Sequence, residues 1–195
     1  MRQARLELVA ALLAAACAPA RPIEAIGLRP IGDAKNWMLL EPLTYRVSES
    51  GDSIVVPAGF VTDFASIPPR LQSLISPLGP HLLPAVVHDY LYWQQGCSRA
   101  QADSLFLKAM TEMLVSRGER EAMYLAVSKF GGGAWTANQR DRKLGLPRIV
   151  PQPPRRMPGA LETWPEYRDS LKGWGVAPDA QFPLEPGFCA RGGPH

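Results

Sequence analysis

One apolar segment constrains the fold more than any other part of the chain. Pro84 suits the first position of a helix and Gly96 the position just after its end, so a helix is predicted from about Pro84 to Gln95. The segment is apolar almost all round, which is typical of a buried helix. Yet His88 and Asp89 lie at its middle. Burying an ionisable pair is costly unless partners satisfy it, so this pair must have polar partners or line a cleft.

The partners of the pair are sought on the segments before and after the helix. Some polar residues directly follow a predicted strand, others lie one turn apart at the start of the next helix, and a tyrosine follows His88 by one turn. Either Asp63 or Asp103 could fix the tautomer of His88 and make it a general base. The candidate catalytic residues are therefore Asp63, Ser66, His88, Asp89, Tyr92, Arg99 and Asp103.

A β-hairpin is predicted before this helix. Leu43, Tyr45 and Val47 alternate with polar residues, which is the period of a half-buried strand. Residues 50–52 supply a turn, and the strand that returns from it is expected to deliver Thr62 and Asp63 to one end of the sheet, after a bend at Pro57 and Gly59.

Two further helices are predicted after the apolar one. Ser98 and Gln101 form a capping box that starts the first, and the second runs from about Glu119 to Phe130. The glycines at 131–133 let the backbone pass close to a neighbour or change direction. The predicted fold is a single α+β domain over about residues 30–142, with a small antiparallel hairpin or sheet packed on about three helices.

The remaining C-terminal segment, residues 143–195, is interpreted as an irregular extension. From Gly145 onward it holds half of the chain's 20 prolines. A short helix near Trp164 to Leu171 is its one periodic feature.

The first 20 residues are typical of an export signal. Arg2 and Arg5 precede an apolar run from Leu8 to Ala16, which is too short to span a bilayer. Residues 14–17 resemble the lipobox of bacterial lipoproteins, in which Cys17 would be lipidated, whereas residues 18–20 suit ordinary signal peptidase. We expect an exported protein, periplasmic or anchored to a membrane through Cys17.

Export bears on the other two cysteines. If Cys17 is lipidated, Cys97 and Cys189 are an even pair in an oxidising compartment, so a disulfide between them is one reading and two unrelated thiols the other. A bridge is predicted to clamp the C-terminal extension across one wall of the site.

Composition and motifs exclude several functions. The 21 basic and 18 acidic residues form no basic stripe, which argues against nucleic acid as a partner. No Gly-x-Ser-x-Gly elbow accompanies Ser66, and zinc would need more nitrogen and sulfur ligands than the chain offers. A divalent cation such as calcium, held by Asp63 and Asp89 with Asp103, stays open because carboxylate oxygens suit it.

Several motifs in one order resemble a phage and bacterial family. They are PAGFVTDFASIP at 57–68, VHDYLY at 87–92, the spacing of Arg99, Asp103 and Phe106, and FGGGAW at 130–135. The family is known only as domain of unknown function 1353, and the resemblance spans about residues 36–138. It implies an α+β domain with no settled activity; the leader and the proline-rich tail depart from its phage-borne members.

A local resemblance also links His88, Asp89 and Tyr92 to the helix of calcium-dependent phospholipase A2. It implies a water-activating histidine, an aspartate that binds calcium, and a tyrosine that supports a later aspartate, for which Asp103 could stand. The glycine-rich calcium loop and the paired cysteines of that family have no counterpart here.

Two functions follow from the sequence. The first is an envelope-directed hydrolase with His88 as base, Asp63 or Asp103 orienting it, and Asp89 as metal ligand or second orienting group. The second is a non-catalytic, phage-derived module that binds an envelope or virion partner, in which these residues form a buried network that holds the hairpin to the helices.

Overall fold

The computed structural model describes residue 23 and residues 26–48, 51–64, 79–178 and 186–192. These residues include the strands β1 (Leu28–Pro30), β2 (Trp37–Leu39), β3 (Leu43–Arg46), β4 (Ser53–Val56) and β5 (Val61–Thr62). They also include the helices α1 (Leu82–Gln94), α2 (Arg99–Glu112), α3 (Arg117–Phe130), α4 (Gly132–Lys143) and α5 (Trp164–Gly173), and a 3-10 helix at Gly187–Gly192. The predicted α+β class is confirmed. The leader with Cys17, and Ser66, lie outside the described residues.

The predicted hairpin is present. β3 pairs antiparallel with β4, so that Leu43 lies opposite Val56 and Arg46 opposite Ser53. Along β3, Leu43 and Tyr45 are buried while Arg46 is exposed. The strand therefore has the two-residue period that the sequence predicted.

The returning strand ends earlier than predicted, and Thr62 belongs to a different sheet. β5 pairs with β2, and β2 with β1, in an antiparallel sheet of order β1-β2-β5. Pro57 and Gly59 separate β4 from β5. Gly59 has φ +83°, and a Cβ there would lie 2.0 Å from the carbonyl oxygen of Val150. The chain leaves the hairpin here because only glycine permits both the conformation and the close approach.

Helix α1 lies at the centre of the core. Its residues from Pro84 to Gln94 are all buried, as its apolar composition predicted. The helix contacts α2, α4, β4 and β5, and Leu91 and Trp93 share one apolar cluster with Phe60. His88 and Asp89 therefore face protein on all sides except where a cavity reaches them.

Helix α2 begins with the predicted capping box. Ser98 accepts from the Gln101 N–H through its hydroxyl, and the Gln101 side chain accepts from the Ser98 N–H. Helix α4 was not predicted, because three consecutive glycines disfavour a helix. Two of them, Gly132 and Gly133, occupy its first turn.

The C-terminal extension contributes a second layer to the fold. Helix α5 packs Trp164, Tyr167 and Leu171 against an apolar cluster that includes Met38 of β2 and Val61 of β5. It thus covers the three-stranded sheet. Within the described residues, no helix has the length and apolar character needed to cross a membrane.

Candidate functional site

A cavity of about 450 Å³ reaches the middle of α1. Its lining includes three walls that differ in their side-chain chemistry. The histidine wall is Asp63, His88, Asp89 and Tyr92; the apolar wall is Ala126, Val127, Phe130, Ala134 and Ala137; the arginine wall is Asn138, Asp141, Arg148, Trp164 and Arg168. A volume of this size suits a small molecule.

The histidine wall is held by a buried carboxylate. His88 Nε2 lies 2.9 Å from Asp103 Oδ1, and the Tyr92 hydroxyl donates to the same oxygen at 2.6 Å. Arg99 Nη1 donates to Asp103 Oδ2 at 3.2 Å. Asp103 is 2% exposed and does not line the cavity, so it supports His88 from behind. Of the two orienting carboxylates that the sequence offered, the structure places Asp103 on His88.

Burial keeps His88 neutral. Removal from water lowers its pKa below the ordinary value of 6.5, and this effect outweighs the hydrogen bond to Asp103 and the nearby charge of Asp63, which act in the opposite direction. Burial and the bond to Asp103 also raise the pKa of Tyr92, so its hydroxyl stays protonated. A neutral His88 donates its Nε2–H to Asp103, which leaves Nδ1 as an acceptor.

Nδ1 of His88 is the unusual atom of the site. It is shielded from solvent and has no hydrogen-bond partner among the described residues. A buried polar atom without a partner is uncommon in folded proteins and is a sign of functional strain, a catalytic role or a bound water. The ring itself is fixed, since it stacks on Phe106 with 4.7 Å between centroids and lies 4.1 Å from the ring of Tyr92.

Gly131 allows the α3–α4 junction to approach Tyr92. A Cβ at this position would lie 2.4 Å from the Tyr92 hydroxyl, whereas a Cβ on Gly132 would meet nothing within 4 Å. One of the three glycines therefore has the role that the sequence predicted, a close approach to a neighbour, and the site depends on it.

Asp63 and Asp89 belong to a second group of contacts. The Thr62 hydroxyl and the Asp63 N–H both donate to Asp89 Oδ2, the latter at 3.3 Å, and Asp63 Oδ1 lies 3.4 Å from Arg148. The sequence predicted one hydrogen-bonded group around His88. The bonds described here join Asp103 to His88, and Thr62 and Asp63 to Asp89, while the charge of Asp63 acts on His88. That all of them form one group stays a prediction.

The described residues include no group of three or more histidine, cysteine, aspartate or glutamate side chains arranged to hold a metal ion. Asp103 is occupied by His88, Tyr92 and Arg99, so it does not join Asp63 and Asp89 around a cation. The geometry gives the predicted calcium site no support.

The arginine wall was missed by sequence reasoning. Arg148 bonds Val61 O and Asn138 Oδ1, each at 2.8 Å, and reaches its place because the segment that carries it pairs with β5. Arg168 donates to Asp141 Oδ2 at 2.7 Å. The spacing of Trp164, Tyr167 and Leu171 predicts that α5 packs on the core. It does not predict that the three-stranded sheet is the surface on which α5 packs.

The disulfide lies away from the cavity. Cys97 and Cys189 are joined, with their Cα atoms 5.3 Å apart. The 3-10 helix that contains Cys189 contacts α2, and none of its residues lines the cavity. That this bridge clamps the extension across a wall of the site stays a prediction, because residues 179–185, which join α5 to the bridge, lie outside the described residues. It is the earlier part of the extension, carrying Arg148 and Arg168, that closes the cavity.

One of the comparisons with known proteins, that with family models, agrees with the resemblance seen in the sequence. Residues 37–127 match the family model described as "Protein of unknown function (DUF1353)". This segment of the chain is similar to the DUF1353 family. Neither the curated proteins nor the solved structures gave a match, so the local resemblance to phospholipase A2 has no support.

The match divides the site. All four residues of the histidine wall, and Asp103 behind it, lie within the DUF1353 match, whereas every residue of the arginine wall follows it. The matched segment thus contributes the buried histidine and carboxylates, and the residues that follow it complete the cavity around them.

Proposed function

We propose that this chain is an exported hydrolase in which His88, oriented by Asp103, is the general base. One observation carries the proposal: Nε2 of His88 is held by Asp103, while Nδ1 has no partner among the described residues on a ring that lines the cavity. A carboxylate that fixes one ring nitrogen leaves the other available for proton transfer. The lowered pKa supports this role, since a base must be unprotonated to act.

In the proposed reaction a water in the cavity attacks the carbonyl carbon of an ester or amide. As the new C–O bond forms, His88 Nδ1 takes one proton from that water. The imidazolium then gives this proton to the leaving oxygen or nitrogen while its bond to carbon breaks, and His88 returns neutral. Asp103 stabilises the transient imidazolium, and the Asn138 amide, which also lines the cavity, can donate to the oxygen that gains charge.

Export is part of the proposal. The basic start and the apolar run before Cys17 favour it, and the Cys97–Cys189 disulfide supports it because disulfides persist in oxidising compartments. The substrate is then an envelope component. Cell fractionation and mass analysis of the mature N-terminus test this step, and a cytoplasmic protein that retains residues 1–16 would contradict it.

A second function is ligand binding without catalysis. The observation that favours it is the burial of His88, which is 2% exposed, with Nδ1 shielded from solvent. A module that holds an envelope or virion partner needs the cavity but no proton transfer.

The two functions are separated by comparing two buried histidines. The disulfide-bonded protein is screened against chromogenic acyl esters and peptide amides as wild type, His88→Gln and His81→Gln. His81 is the matched control, because it is 1% exposed, lies just before α1 and does not line the cavity. We expect His88→Gln to lower the rate by roughly 10²- to 10⁴-fold, with His81→Gln near wild type.

A folded His88→Gln protein that keeps the wild-type rate would rule out the hydrolase. Absence of turnover by the wild type, together with saturable binding of one of these compounds, would establish the binding module instead. Circular dichroism of each variant distinguishes a lost base from a lost fold.

A further inference from the structure

The guanidinium of Arg168 has one nitrogen paired with a carboxylate of the protein and another without a partner among the described residues. Its Nη1 donates to Asp141 Oδ2 at 2.7 Å, and its side chain is 19% exposed. Its Nε is shielded from solvent and has no partner among the described residues. Nη2 lies beside Nε on the same edge of the planar group, so the N–H bonds of that edge point in parallel.

Such an edge matches the geometry of a carboxylate. Arginine stays charged at every ordinary pH and presents its donors in a rigid plane, so two parallel N–H···O bonds form with a planar oxyanion. Asp141 already occupies the Nη1 side, which fixes the direction of the free edge. An oxyanion bound there would satisfy the buried Nε, and because Nε is shielded from solvent, its entry has to move aside the groups that cover Nε.

The rest of the cavity defines the body of the ligand. The apolar wall presents Ala126, Phe130, Ala134 and Ala137, and Trp164 lies beside Arg168 with its ring 6.0 Å from the guanidinium carbon. Phe130 is 70% exposed and lines the cavity, so an apolar group bound there would cover surface that now faces water.

We propose that the cavity binds a small molecule with a terminal carboxylate and an apolar body, and that Arg168 recognises the carboxylate through its Nε–Nη2 edge. This inference rests on the proposed function for the choice of cavity and names the ligand class; it applies to a hydrolase and to a binding module alike. The carboxylate is either that of a free acid or the C-terminus of a short peptide.

The test follows the Nε–H signal of Arg168 in ¹H–¹⁵N spectra of the disulfide-bonded chain, identified by its loss in Arg168→Lys. Two carboxylates are titrated, 3-phenylpropionate as the free acid and N-acetyl-Ala-Phe as the peptide, each beside its neutral amide. We expect the carboxylates to change the chemical shift of the Arg168 Nε–H signal and the amides to leave that shift unchanged. The tighter of the two carboxylates identifies the source.

Arg168→Lys keeps a positive charge near Asp141 but lacks the planar edge, so the Kd of the bound carboxylate should rise by roughly tenfold to a hundredfold. Arg140→Lys is the matched control. Arg140 lies 3.7 Å from the other oxygen of Asp141, is 71% exposed and does not line the cavity, and its substitution should leave the Kd unchanged.

Three outcomes would overturn the inference: an Arg168 signal that stays in place with both carboxylates at millimolar concentration, equal binding of acids and amides, or wild-type affinity in Arg168→Lys. The hydrolase proposal fails separately, through the rates of the His88 variant. A chain in which His88 has no catalytic role can still bind a carboxylate at Arg168, and the titration alone decides that point.

Discussion

The histidine wall and the arginine wall of the cavity are stabilised in different ways. His88 of the histidine wall and Asp103, which supports it from behind, are each 2% exposed and belong to helices that pack in the centre of the core. Arg168 and Asp141 are 19% and 17% exposed, and they join α5 to α4 near the surface. The first wall is part of what makes the domain fold, whereas the second is placed on it by the chain that follows the DUF1353 match.

Because of this difference, the two walls are expected to affect different properties of the protein, its stability and its affinity for a ligand. Buried polar groups that share one carboxylate, as His88 and Tyr92 do, are costly to disturb, since each loses its partner in a medium that offers no water. An ion pair at the edge of a cavity contributes little to folding, but its free donors meet the ligand. We therefore expect substitutions in the histidine wall to affect unfolding most, and those in the arginine wall to affect affinity.

The largest expected effect is that of Asp103→Ala. The substitution removes the acceptor of His88, Tyr92 and Arg99 together, so the free energy of unfolding should fall by about 3–5 kcal/mol. Urea denaturation measures it. Asp141→Ala is the matched variant in the arginine wall, and its cost should stay near 1 kcal/mol or less because its partner can reach water. Equal losses of unfolding free energy in the two variants would show that the two walls do not differ in their contribution to stability.

The disulfide ranks second. Replacing Cys97 and Cys189 by serine releases a cross-link between residues 92 positions apart, which should cost about 2–4 kcal/mol. Neither wall contains a residue of the 3-10 helix at 187–192, so the affinity for 3-phenylpropionate should persist below the melting temperature. A large loss of affinity in the folded double variant would show that the bridge shapes the cavity after all.

The same comparison explains what could be predicted from sequence. The buried helix, its capping-box neighbour and the candidate residues of the histidine wall are local features, because an apolar segment with His88 and Asp89 at its middle has few ways to be satisfied. The arginine wall depends on contacts between distant segments. Arg148 is positioned by a backbone bond from Val61, and no local pattern reports such a pairing.

Helix α4 was missed for a related reason. The low helix propensity of three glycines argues against a helix. The reason for a glycine at position 131 is its close approach to Tyr92, and only the tertiary structure reveals that contact. The two polar residues that line the cavity from α4, Asn138 and Asp141, were therefore not predicted as site residues.

The third prediction sharpens the role of this approach. Gly131→Ala would place a methyl group 2.4 Å from the Tyr92 hydroxyl, and moving that hydroxyl strains its bond to Asp103. We expect a loss of about 1–3 kcal/mol in unfolding free energy. Gly132→Ala meets nothing within 4 Å and should be neutral or slightly stabilising. If the two variants have the same unfolding free energy, the α3–α4 junction moves to accommodate the added methyl group, and the hydroxyl of Tyr92 is not held rigidly.

The smallest expected effect is a loss of stability on mild acidification, from pH 7 to 5.5. Burial lowers the pKa of His88, and that of His81, below 6.5 in the folded protein. As the pH falls through 6.5, the unfolded chain takes up protons that the folded chain does not, so stability decreases with falling pH and levels off below the folded pKa. Each histidine contributes at most about 1.4 kcal/mol over this interval.

Urea unfolding of wild type and His88→Gln at the two pH values isolates the contribution of the histidine wall. The shared part from His81 cancels between the two proteins, and the carboxylates whose pKa is lowered, such as Asp33 and Glu162, lose their contribution only at more acidic pH. The difference in unfolding free energy between pH 7 and 5.5 should therefore be smaller in the variant. An equal or larger difference would mean that His88 accepts a proton freely in the folded protein. It would then be open to solvent, and the distinction between the buried pair of His88 and Asp103 and the more exposed pair of Arg168 and Asp141 would not hold.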